Sequence, residues 1–163
     1  MTAAISGSEK MRLRIVAIAT LALTAAAPTV AQQGNGVDVA AVVAQCQMDP
    51  NLDLRSLTAS ERRPLITCVQ KASAAAQNVR VPIKMDEVTT LTAVSASGTV
   101  LTYHYTVDVD AVSITREAIS GIISDTRESA CANLRSIEVG AGFRYVWIDR
   151  NGAPIAETTV DSC

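Results

Sequence analysis

The sequence predicts an α+β domain: an N-terminal helical hairpin followed by a ββαββ unit with a mainly antiparallel four-stranded sheet. Three observations predict it. Apolar residues recur at helical spacing up to about Ala76 and then, past Val81-Pro82, switch to alternation. Two pairs of alternating segments are each joined by a short turn-forming stretch, Ala96-Ser97-Gly98 and Arg150-Asn151-Gly152. Between the pairs lies a segment with isoleucines at helical spacing that ends near Cys131. Elements in this order stack as a mainly antiparallel sheet with helices on one face.

The first 31 of the 163 residues read as an export signal. Lys10, Arg12 and Arg14 precede an uncharged stretch from Ile15 to Ala27, and Thr29-Val30-Ala31 offers small residues for a signal peptidase. The apolar run is shorter than the roughly 20 residues a membrane span needs. Met11 opens a more ordinary signal than Met1, so either is a candidate start. Processing is expected to leave a chain that begins at Gln32. It is not expected to be acylated, because Gln45, not a small residue, precedes the first cysteine, Cys46.

Residues 32–80 form the helical segment. Val37 to Cys46 carries Val39, Val42, Val43 and Cys46 on one stripe, and Asp49-Pro50-Asn51 interrupts it. Ser60, Glu61 and Pro64 open a second helix with Leu65, Ile66, Val69 and Ala72 on its apolar face. Residues 81–163 form the sheet domain, expected to be one compact unit with 32–80. Val88 to Ser95 is the first strand and Thr99 to Val109 the second, with Leu101, Tyr103, Tyr105, Val107 and Val109 on one face. Thr102, His104, Thr106 and Asp108 take the other. Ser113 or Thr115 caps a helix with Ile114, Ala118, Ile119, Ile122, Ile123 and Ala130 on its stripe, and Gly121 is expected to mark close packing. A short turn of helix over 133–139 closes at Gly140. Phe143 to Asp149 and Pro154 to Val160 are the last two strands, the final one suited to a sheet edge by its leading proline.

Four of the five aromatics, Tyr103, Tyr105, Tyr145 and Trp147, alternate within two strands. Cross-strand packing explains them, and any of them left exposed would be candidate binding residues. The four cysteines, Cys46, Cys68, Cys131 and Cys163, are even in number, as a disulfide framework in an oxidising compartment requires. Three connectivities are possible. Placement of each pair within one half of the chain favours Cys46–Cys68 and Cys131–Cys163.

Composition excludes several classes of function. The chain has 14 basic and 16 acidic residues, net charge −2. Losing residues 1–31 takes three bases and one acid, leaving 11 and 15. No basic surface is available for nucleic acid, and no second apolar run is long enough for membrane insertion. The only histidine, His104, lies mid-strand with no partner for nucleophilic catalysis. Glu117 with Glu128, or Asp108 with Asp110, could pair as carboxylates, but a solvated face accounts for them. Asp149 to Gly152 lacks the further ligands of a calcium loop. No catalytic residue, metal site or cofactor is expected, and the chain is read as a non-catalytic protein, periplasmic or secreted. Its partner would be an envelope protein or peptide, held in the groove between helix and sheet or along a sheet edge.

The run VPIKMDEVTTLTAVSASGTVLTYHYTVD, the helix ending in Cys131, and Gly142-Phe143-Arg144-Tyr145-Val146-Trp147 with a terminal Cys163 together resemble a group of small exported bacterial proteins. The shared positions are Pro82, Asp86, Thr89 or Thr90, Tyr103, Tyr105, Cys131, Tyr145, Trp147, Gly152 and Cys163. The resemblance covers about half the chain and implies a fold and a disulfide rather than an activity. The same ββαββ order with a helix-end and a C-terminal cysteine is similar to the disulfide-bonded pilotins of type II secretion systems. Those are outer-membrane lipoproteins that bind the tail helix of a secretin. The chain departs from them in lacking a lipidated cysteine and in its N-terminal helical hairpin. A secretion accessory role, or a structural or stress-related role without a specific ligand, are the alternative functions this leaves.

Overall fold

A computed structural model describes residues 37–132 and 134–163. Residues 1–36, which include the stretch read from the sequence as an export signal, lie outside the described residues, as does Asn133. The elements are α1 (Val39–Gln45), α2 (Ala59–Asn78), β1 (Ile83–Lys84), β2 (Thr89–Ser97), β3 (Val100–Val107), α3 (Arg116–Cys131), α4 (Leu134–Glu138), β4 (Gly142–Asp149) and β5 (Pro154–Val160), with 3-10 turns at Leu54–Ser56 and Ala111–Ser113.

The mixed α+β class agrees with expectation; the sheet differs in two respects. It has five strands, in the order β1-β2-β3-β4-β5, because the short β1 pairs with β2 through Ile83↔Leu91 and Lys84↔Thr90. It is also mixed: β1–β2, β2–β3 and β4–β5 are antiparallel, but β3 and β4 run parallel. The long connection through α3 and α4 carries the chain back to the starting end of the sheet, which parallel pairing requires. Alternation of apolar residues is the same in parallel and antiparallel strands, so the sequence did not distinguish the two arrangements.

Local chemistry sets the element ends. Asp38 Oδ1 accepts from the Ala41 N–H at 3.1 Å to cap α1. The start of α2 comes earlier than Pro64 suggests, because Thr58 and Glu61 form a capping box: the Thr58 N–H donates to Glu61 Oε2 (2.8 Å) and the Glu61 N–H to Thr58 Oγ1 (3.4 Å). Pro64 then sits inside the helix. Of the two candidate caps for α3, Thr115 serves, accepting from the Ala118 N–H at 3.2 Å. Gly121 is exposed, and a Cβ placed on it would meet no heavy atom within 4 Å. It marks no close packing, contrary to expectation.

Burial on α2 follows Ile66, Gln70, Ala74 and Gln77, a stripe rotated from the expected one, while Ala72 is buried on another flank. The stripe is held by polar contacts as well as apolar ones. Gln70 Nε2 donates to the carbonyls of Thr99 (3.2 Å) and Gly142 (3.5 Å) at the starts of the central strands. Asn78 brackets Val94 on β2, its Nδ2 donating to the Val94 carbonyl and its Oδ1 accepting from the Val94 N–H (2.9 Å). Because β1 is only two residues long, that stretch of β2 has no strand beside it, and Asn78 satisfies its backbone instead.

On α3 the expected stripe is only partly inside. Ile114, Ile119 and Ile122 pack against Val107, Trp147 and Ile155, Ala118 is exposed, and Ala130 alone is fully buried. Ile155 is the unmatched residue of a bulge opposite Trp147, which lets it join the core out of strict alternation. The disulfides are Cys46–Cys68 and Cys131–Cys163, each with a Cα–Cα distance of 5.8 Å. The first ties α1 to α2; the second ties the end of α3 to the residues after β5.

Candidate binding trough

The two long helices cover different parts of the sheet. α2 lies over β2 and part of β3, whereas α3 lies over β5 and reaches Val107 and Trp147 at one end of the β3–β4 pair. The inner face of the parallel β3–β4 pair therefore forms the floor of a trough. Its floor is read off the register: Leu101↔Phe143, Tyr103↔Tyr145 and Tyr105↔Trp147. Four residue-to-residue steps of about 3.3 Å make this floor about 13 Å long.

Parallel register places the aromatics in two facing ranks. The ring centroids of Tyr103 and Tyr145 are 5.4 Å apart, and those of Tyr105 and Trp147 are 5.7 Å apart. Along the strands, Tyr103 and Tyr105 are at 6.5 Å and Tyr145 and Trp147 at 6.0 Å. All four pairs are stacked, and each contributes about 0.5–1.5 kcal/mol beyond burial. The structure thus brings all four expected residues together. Tyr103 and Trp147 are buried, while Tyr105 and Tyr145 are half-buried. Burial raises both half-buried phenols, and neighbouring tyrosines add to it: Tyr145 is pushed up to about 12, and Tyr105 higher still.

Three hollows follow one another along this floor. A 330 Å³ hollow lies over Leu101, Tyr103 and Phe143, walled by α2 and by Ser136 and Val139. One of 450 Å³ lies over Tyr103, Tyr105 and Tyr145, between Gln77 and Arg80 on one side and Ser129 and Ala130 on the other. The third, 290 Å³, lies over Tyr105, Tyr145 and Trp147 beside Asp125, Thr126 and Ser129. Met85, 56 % exposed, rims the last two. Sequence reasoning missed Gln70, Gln77 and Met85. The signal for the glutamines was present: two amides seven residues apart fall on one face of a helix whose other positions there are apolar.

The remaining candidates are structural in their contacts. His104 lies on the opposite sheet face, with its Nε2 3.0 Å from Ser95 Oγ. Asp108 and Asp110 each lie 3.5 Å from the Arg150 guanidinium, so the cation between them balances the pair. Glu117 and Glu128 are both exposed on α3. Asp149 is buried, and its carboxylate accepts from the N–H groups of Ala111 (3.1 Å), Asn151 (2.7 Å) and Ala153 (2.7 Å). Burial alone would raise its pKa, but these bonds prevail and hold it below the usual value. Among the described residues no group of three or more His, Cys, Asp or Glu is placed to hold a metal ion, and no helix is long and apolar enough to cross a membrane.

No family model matches the chain, and no curated protein matches it in sequence. Three solved structures share its fold. A Pseudomonas aeruginosa protein described as presumed to be secreted is 18% identical, with a TM-score of 0.55 over 62% of this chain and 93% of its own. The type 2 secretion pilotin of Vibrio vulnificus is 17% identical, TM-score 0.51, over 62% and 92%. The type II secretion pilotin of Vibrio cholerae is 16% identical, TM-score 0.52, over 62% and 93%. At these identities the likeness is one of fold.

Proposed function

We propose that this chain is an exported, non-catalytic accessory protein of the cell envelope, and that the trough over β3 and β4 holds a segment of a partner envelope protein or peptide. The observation that carries the reading is the half-buried state of Tyr105 and Tyr145 on a floor flanked by two helices. Rigid aromatics with one accessible edge give contact area at small entropic cost, and Met85 adds an adaptable apolar rim. Two disulfides suit an oxidising compartment. The fold shared with pilotins supports a second reading of the same site, a secretion accessory that receives a partner helix. Burial of Tyr103 and Trp147 supports the third reading, a structural protein without a specific ligand.

Site-specific photocrosslinking separates these readings. A photoreactive amino acid at Met85 or Ser129, both on the trough, should capture a defined partner during expression in an envelope. The same group at Val112, 95 % exposed in the turn before α3, should not. Equal capture at all three positions, or capture at none, would remove support for the trough as a partner site.

A further inference from the structure

The hollow at the Leu101–Phe143 end of the trough has a chemistry of its own. Its wall is mostly apolar, with Leu54, Ile66, Val69, Leu101, Val139 and Phe143, and no residue lining it carries a charge at neutral pH. Its polar groups come mainly from α2. Gln70 is already committed to Thr99 and Gly142. Gln77 is not: it is 5 % exposed, its side-chain amide makes no hydrogen bond with any described residue, and it lines both this hollow and the next one. Among the described residues the fully buried polar atom without a partner is Arg62 Nε; the Gln77 amide opens onto the hollow instead, where a ligand bringing a complementary polar group can take the place of water.

We propose that this hollow binds a single-chain, uncharged amphiphile such as a fatty acyl ester or amide, its chain among Ile66, Val69, Leu101 and Phe143 and its carbonyl on the Gln77 amide. Size favours one chain. A volume of 330 Å³ holds on the order of ten water-sized groups at roughly 30 Å³ each, which matches one acyl chain of about that many carbons. Charge favours a neutral head. A carboxylate at Gln77 would lose its hydration with no cation among the lining residues, and Arg80, which lines the neighbouring hollow, is already engaged. The inference goes beyond the partner reading and does not need it.

Calorimetric titration of the disulfide-bonded chain with 1-monodecanoylglycerol and with decanoate, both below micelle-forming concentrations at neutral pH, tests the proposal. The ester should bind saturably at one site, at least about tenfold more tightly than the anion. Gln77→Leu should erase that preference, and Val69→Trp, which fills the hollow, should abolish binding. A diazirine-bearing monodecanoylglycerol on the unaltered chain avoids dependence on any variant's folding, and its label should fall on 66–77 or 134–143. No saturable binding, decanoate bound as tightly as the ester, or a label elsewhere on the chain would overturn the proposal. Crosslinking at Met85 is a separate readout, so either conclusion can fail while the other stands.

Discussion

Tyr103 and Tyr145 face each other across the parallel β3–β4 pair with their ring planes 17° from parallel. They are joined by a connection through two helices, not by a hairpin. Because that connection carries α3 out over β5, the stacked rings are left between two helices instead of beneath one. The same topology that pairs the aromatics also opens the space above them.

The first prediction concerns those phenols. Tyr145 is pushed up to about 12 and Tyr105 beyond it, burial being the main cause for both. An unfolded tyrosine titrates near 10. The folded state therefore holds these protons more tightly. The stability this confers is complete below about pH 10 and is lost as pH rises through the folded values. Tyrosinate absorbance in the native chain should develop later than in denaturant, and Tyr145→Phe should remove part of the difference. Coincident titration curves would refute the burial.

The second prediction lies at the acid end. Asp149 is held below its usual value of about 3.9. Its contribution is present above that value and is lost as pH falls through the lower folded one. Urea midpoints measured from neutral pH into strong acid should fall less steeply in Asp149→Asn than in the unaltered chain. The asparagine keeps one acceptor but has no charge to lose.

Much of this architecture was legible in the sequence because the signals are local. Period-two alternation placed Tyr103, Tyr105, Tyr145 and Trp147 on two strands, and the placement of cysteines within each half gave the pairing that the structure contains. What escaped was nonlocal. The orientation of β4 against β3 leaves no trace in alternation, and β1, at two residues, is too short to show a period. The stripe on α2 was misplaced because Gln70 is buried with its backbone partners and Gln77 beside the hollows it lines, which no hydrophobicity pattern records.

The third prediction tests the C-terminal staple. Cys131–Cys163 closes a loop with a sequence separation of 32, and Val160, beside it in the core, is 0 % exposed. Cys163→Ala, paired with Cys131→Ala to avoid a stray thiol, should lower stability by about 3–4 kcal/mol on the chain-entropy model. Denaturant titration gives the value. Hydrogen exchange should rise first in β5, because that strand loses its covalent tie to α3.

The fourth follows from the glycine that packs against nothing. Gly121 lies inside α3, exposed, with no heavy atom within 4 Å of an added Cβ. Gly121→Ala should raise stability by about 1 kcal/mol through helix propensity alone. A loss of stability would mean that α3 meets something at this position that the described residues do not contain.

The last prediction separates the trough from the sheet edge as the partner site. β5 is an edge strand, as its leading proline suggested, and an added strand could pair along it. Its defences are visible. Glu157 is exposed and held by Arg144 through two bonds, at 2.9 and 2.8 Å, and Asp161 stands exposed just past the strand end. Charges on an edge oppose pairing by an incoming chain. Thr159→Pro removes one backbone donor from β5, while Tyr145→Ala removes a ring from the trough floor. If the trough is the site, crosslinking from Met85 should persist in Thr159→Pro and fall in Tyr145→Ala, with both variants retaining their disulfides and native circular dichroism. The opposite pattern would move the site to the edge.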